Sequence, residues 1–232
     1  MNRRNMLTAV ALVTAGSAAT SALAAKAPTT WDGLVRVQSK RLKYVYLQPG
    51  ADFRAYKSVM VDPTEIAFQK DYVRDFNRTT RGLSERVSDR DVEKVVQEAV
   101  GKATDIFAEA FSERGYPVVQ EAGPDVLRVK TAILNVSVSS PDRMTAGRSY
   151  SFANEAGQAT FAVEVRDSQT GALLGRAVDG RVAGDTTIGW RNKVTNRADF
   201  RQLAKSWAES SVKGLNELKA LSPIDEQGLV RK

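Results

Sequence analysis

The sequence contains no cysteine and no histidine. Each absence closes a class of chemistry. Without cysteine there is no disulfide, no iron–sulfur cluster held by thiolates and no thiol nucleophile. Without histidine there is no Ser-His-Asp or Cys-His catalytic pair and no ordinary haem ligand, and a zinc site would have to be built from carboxylates alone. Carboxylate acid–base chemistry, Ser-Lys pairs or no catalysis remain. A glycine-rich phosphate loop, a calcium-loop spacing and a recognisable nucleic-acid-binding motif are missing too. The expectation is no cofactor, no metal, no nucleic-acid partner and no catalytic residue.

Long hydrophobic runs are also missing. The most apolar stretch, Met6 to Ala15, is diluted by Thr8 and Thr14 and gives way to Gly16, Ser17, Thr20 and Ser21. A membrane span needs about 20 consecutive, mostly apolar residues. Arg3 and Arg4 precede this stretch and Ala22-Leu23-Ala24 closes it. That order of positive charge, apolar core and small residues defines a cleavable secretory signal over residues 1–24. Arg3-Arg4 followed by Met6-Leu7 also resembles a twin-arginine export signal, so the general and twin-arginine routes both stay open. No cysteine near the cleavage point can take a lipid. The mature chain is therefore expected to be soluble, in the periplasm or outside the cell, with stability that comes from packing alone.

Charge is present in both signs. The chain has 34 Lys and Arg against 27 Asp and Glu, a net +7, and two of those arginines leave with the signal. The charges are interleaved rather than blocked, which favours a solvated surface over a dedicated anionic partner such as a lipid surface or cell-wall polymer.

Hydrophobic content of 42% suits one globular domain. We read residues 25–30 as a leader, 31–221 as a single domain and 222–232 as a flexible polar tail. Two short strands, Tyr44 to Leu47 and Ser58 to Val61, flank the turn at Pro49-Gly50, and Asp62-Pro63 stops the second. A helix from about Asp89 to Arg114 carries Val92, Val95, Val96, Ala99, Ala103, Ile106, Phe107, Ala110 and Phe111 as one core-facing stripe. Ser88 with Asp91 caps its start and Gly115 ends it.

Tyr116 to Val119 reads as a short strand and Asp125 to Val138 as a long one. In the long segment Leu127, Val129 and Ile133 alternate with Arg128 and Lys130, before a change of phase that implies a bulge or burial on both faces. Thr160 to Asp167 and Ala172 to Val182 form a hairpin about Ser168-Gln169-Thr170-Gly171, with Glu164 and Arg166 opposite the apolar side. A last helix from about Arg197 to Leu221 precedes Pro223. Strands and helices do not alternate regularly. The expected fold is therefore α/β of the α+β type: one domain, a mixed or antiparallel sheet, two main helices packed on one face.

Several stretches occur together in a fixed order: YVYLQPGADFRAYKSVMVDP over Tyr44 to Pro63, GPDVLRVKTAIL over Gly123 to Leu134, VRDSQTG over Val165 to Gly171, and SWA over Ser206 to Ala208. The set resembles the bacterial family called domain of unknown function 3313, over about Trp31 to Leu221. The resemblance implies a place among secreted proteins and envelope lipoproteins. It implies no activity and no functional residues. The lipid-accepting cysteine of many members is missing here.

The candidate binding residues lie in two polar segments. Ser139 to Gln158, read as a long loop without structure, holds Arg143, Arg148, Tyr150 and Phe152; the loop Gly184 to Asn196 holds Trp190 and Arg191. Cations beside aromatics suit a sugar polymer, a lipid headgroup or a protein. Lys70 to Arg90 is basic, but Asp71, Asp75, Glu85 and Asp89 are interleaved with its cations, so self-compensation is expected. Asp62, Asp125 and Asp179 are the carboxylates best placed for hydrolysis, provided two of them converge. The leading expectation is an exported, non-catalytic protein that binds another envelope protein. A small-ligand or cell-wall-polymer binder is the first alternative and a carboxylate hydrolase the second.

Overall fold

The computed structural model describes residues 27–80, 86–138, 152–153, 157–183, 189–190 and 193–225. In chain order the strands are β1 (Thr30–Trp31), β2 (Leu34–Val37), β3 (Tyr44–Leu47), β4 (Ser58–Val61), β5 (Glu65–Phe68), β6 (Val126–Val138), β7 (Phe152–Ala153), β8 (Gly157–Asp167), β9 (Leu173–Ala183) and β10 (Gly189–Trp190). The helices are α1 (Tyr72–Thr79), α2 (Asp89–Ser112) and α3 (Lys193–Leu221). Eight strands form one sheet, ordered β1-β2-β3-β9-β8-β6-β4, with β5 also on β6. It is mixed: β4 and β5 run parallel to β6, and the other pairs are antiparallel. β7 and β10 pair separately.

The long strands follow from their alternation. On β6, Leu127 and Val129 are fully buried and Ile133 nearly so, while Arg128 and Lys130 point the other way. The change of phase is a bulge between Leu134 and Ser137, where Asn135 takes a left-handed conformation, φ 54°. Asparagine tolerates that region better than most residues, and the extra residue returns Val136 to the buried side.

On α2, Ser88 closes a capping box: its Oγ accepts from the Asp91 N–H at 3.3 Å, and its own N–H donates to Asp91 Oδ2 at 2.8 Å. Gly115, at φ 85°, ends the helical course. The apolar stripe of α2 is core only in its second half. Ala103, Phe107 and Phe111 are buried, whereas Val95 is 45% exposed, because the first half of the helix overhangs the sheet.

α2 and α3 cover one face of the sheet. Phe161 of β8 is stacked between Phe107 of α2, at 5.4 Å, and Trp207 of α3, at 5.2 Å. All three rings are 0–1% exposed. Burying rings of this size is the largest apolar contribution a single side chain makes.

Several segments differ from the sequence reading. β1, β2 and β5 are strands too short to show a period, and α1 occupies the basic stretch after Lys70. Arg74 there bridges Asp71 and Asp75, so that cation is compensated as expected. Tyr116 to Val119 makes only a single bridge, Val59 to Val118. The two segments read as loops hold short pieces of strand, β7 and β10, and α3 starts at Lys193, inside the second of them. Ile224, read as part of a flexible tail, is 1% exposed; its N–H donates to the Ala51 carbonyl and its carbonyl accepts from the Gly50 N–H. One apolar residue after α3 was enough to dock the chain there.

Candidate functional site: the open face of the sheet

The registers place side chains of the uncovered face in rows. One row runs Lys130, Glu164, Arg176, Tyr46, Arg36 across β6, β8, β9, β3 and β2. Below it Arg128 faces Arg166. Above it lie Ala132, Ala162, Val178 and Tyr44, and then Leu134, Thr160 and Gly180. A charged ladder thus borders a shallow strip of small and apolar residues.

The ladder is held by ion pairs. Asp62, just past β4, receives Arg128 Nε at 2.9 Å and stands 3.9 Å from Lys130 Nζ. Glu164 accepts from Arg166 Nη2 at 3.0 Å and from Arg176 Nε at 2.8 Å. Arg176 also reaches Asp32 at 2.8 Å and lies 4.1 Å from the centre of the Trp31 ring. Trp31 meets Tyr46 edge-on at 5.6 Å, and the Tyr46 hydroxyl donates to the Pro28 carbonyl. Burial beneath this segment raises the Tyr46 pKa.

The N-terminal hairpin therefore roofs one end of the face. Its turn is Asp32-Gly33, both at positive φ, as a two-residue hairpin of this kind requires. Exposure grades along the ladder: 11% for the side chain of Arg176 beneath Trp31, but 37% for Lys130 and 42% for Arg128 at the unroofed end.

Apart from Asp62, the residues singled out in the sequence fall elsewhere or outside the described residues. Arg143, Arg148, Tyr150 and Arg191 lie outside the described residues. Phe152 and Trp190 are brought together as direct cross-strand partners of β7 and β10; strands of two residues carry no local signal of their pairing. The three candidate carboxylates do not converge. Asp62 sits on the open face. Asp179 projects to the helix side, where it accepts from Trp207 Nε1 at 2.9 Å, Arg181 Nε at 2.6 Å and the Lys43 N–H at 3.3 Å. Asp125 precedes β6, about 16 Å along the strand direction from Asp62. Among the described residues no group of three or more acidic side chains is placed to hold a metal ion.

The ladder residues carried a readable signal. Arg128 and Lys130 on β6, and Glu164 and Arg166 on β8, alternate with buried apolar residues. Sequence put them on one side of each strand; only the register joins the two strands into one row.

Fold and face together define a class: a mixed-sheet α/β domain with two helices on one side and a charged face on the other, free of helices among the described residues. The chain belongs to the family described as protein of unknown function (DUF3313), whose model matches residues 25–211. No curated relative matches the sequence. Among solved structures it is similar to a PelC dodecamer from Paraburkholderia phytofirmans, at 15% identity and TM-score 0.36, covering 74% of this chain and 95% of that one. It is also similar to protein XCC0632 from Xanthomonas campestris, at 13% identity and TM-score 0.32, covering 71% and 84%. Among the described residues no helix is long and apolar enough to cross a membrane.

Two of the family-bearing motifs sit at joints of the fold. Ser206, Trp207 and Ala208 meet β9: Arg181 Nη1 donates to Ser206 Oγ at 2.6 Å, and Trp207 donates to Asp179. In VRDSQTG, Asp167 caps its own turn through Thr170 and accepts from the Tyr56 hydroxyl at 3.0 Å. These hydrogen bonds lower the Asp167 pKa, and burial followed by the Asp167 contact pushes Tyr56 up to about 12.

Proposed function

We propose that this protein is exported, works in the cell envelope without catalysis, and docks on another envelope protein through the unroofed end of the open face. The observation that carries the reading is the layout of that end. The half-buried strip of Ala132, Ala162, Thr160 and Leu134 borders half-exposed cations at Arg128 and Lys130. An apolar centre with a polar rim is the anatomy of a protein–protein interface. Arg128 and Lys130 share the carboxylate of Asp62, and the exposed Glu65 of β5 is the register partner of Ala132, so the rim carries both signs and suits a partner with complementary charges around a small apolar contact. The signal-like residues 1–24 support the location, and the separation of Asp62, Asp125 and Asp179 supports a binding role over hydrolysis.

The test is site-directed photo-crosslinking in the native envelope. A crosslinker at Ala132 or Thr160 should capture one defined protein, and Arg128→Glu with Lys130→Glu should abolish the product while the Tm is retained. Capture only from positions on α2 or α3 would move the interface to the helix side. No protein product from either face would turn the search to wall polymers and lipids.

A further inference from the structure

The helix-covered face contains a cavity of about 360 Å³ between the sheet and the second half of α3, beneath the loop 38–42. Its floor is Leu47, Val129, Val163 and Ala177, and its wall includes Leu215 and Leu218. Two hydroxyls of its lining are already satisfied. The hydroxyls of Ser210 and Ser211 donate to the carbonyls of Ser206 and Trp207 within α3. The lining is mostly hydrocarbon, with Gln38, Ser39, Lys40, Arg41 and Glu217 supplying its polar part.

Gly214 adds to this picture. A glycine inside a helix is unfavourable relative to alanine, yet a Cβ at Gly214 would meet nothing within 4 Å. Gly214 lines the cavity, so the missing side chain leaves that part of it open. The mouth is charged. Leu42 plugs it from the loop, 7% exposed. Arg41 Nε holds Glu217 Oε1 at 3.0 Å, and Lys40 stands exposed beside it.

We infer that this cavity binds a single-chain amphiphile with an anionic end: an acyl chain inside and a carboxylate at Arg41, which exchanges Glu217 for the ligand. The volume lies at the low end for ligand pockets, so one chain fits and a two-chain lipid does not. The site is independent of the docking face, which lies on the opposite side of the sheet.

The experiment is calorimetry and thermal unfolding of the mature protein with dodecanoate, below its micelle concentration. Dodecanoate should bind with 1:1 stoichiometry and raise the Tm. Hexanoate at the same concentration should do so far less, because a ligand that binds only the native state stabilises it by RT ln(1 + L/Kd), L being its free concentration. Arg41→Ala, an exposed change, should weaken dodecanoate about tenfold while leaving dodecanol unchanged, as loss of one charged contact predicts. Gly214→Leu should fill the space, remove binding and keep or raise the unliganded Tm. A lysophospholipid of the same chain length serves as a second arm: tighter binding than dodecanoate assigns the natural source to membrane lipid, weaker binding to free acid. No saturable binding of dodecanoate to the wild type overturns the site, and so does unchanged affinity in a folded Gly214→Leu protein.

Discussion

On β9, Ala177 and Asp179 face α3, while Arg176 and Val178, their neighbours in the chain, face away from it. The two sides treat polar groups differently. Asp179, 7% exposed, is saturated by three donors, because a buried carboxylate left short of partners is strongly destabilising. On the open side the carboxylates are shared: Asp62 between Arg128 and Lys130, Glu164 between Arg166 and Arg176. The helix side commits its polar groups to holding the fold. The open side leaves some of its charge exposed to solvent.

Mutations should separate the sides by magnitude. The largest effect belongs to Trp207→Ala, which removes the outer ring of the Phe107–Phe161–Trp207 stack; we expect a loss of about 3–5 kcal/mol in denaturant unfolding. Asp179→Ala should follow at about 3 kcal/mol, since it leaves the buried Trp207 N–H without an acceptor and removes the Arg181 ion pair. A smaller loss here would mean that water reaches this pair.

Truncation before Ile224 should come next, at about 2 kcal/mol for one buried isoleucine. Asp167→Asn should lower the Tm near neutral pH by about 2–4 °C. Its folded pKa is depressed, so the wild-type advantage is fully present above the ordinary carboxylate value. It fades as pH falls through the folded value, and the two melting curves should converge in acid. Tyr56 has a raised pKa, so its contribution should hold below about pH 10 and disappear as pH rises through the folded value of about 12; Tyr56→Phe should remove that alkaline limb. At the small end, Arg128→Ala should move stability by no more than about 0.5 kcal/mol, as exposed ion pairs do. A larger loss would show that the open face is structural after all and would weaken its reading as a docking surface.

Much of the fold was legible because its long elements are periodic. The 3.6-residue stripe ending in Phe107 and Phe111, the alternation from Leu127 to Ile133, and the hairpin about Asp167 each bury one side, and burial writes a period into the residues. β1, β2 and β5 have two to four residues, too few to show a period. Their strand character comes from neighbours across the sheet. The candidate face was half legible. Arg128, Lys130, Glu164 and Arg166 were readable as one side of each strand, but their meeting depends on a register in which Lys130 falls opposite Glu164, and register is a long-range property. Asp179 stood out as an acid inside a strand. Its partner Trp207, 28 residues later on α3, is what explains it.

Ile224 has a meaning in time as well as in space. Its backbone closes onto Gly50 and Ala51, a contact that exists only after everything between them has been made. A nascent chain whose Ile224 is still inside the ribosome lacks that clasp.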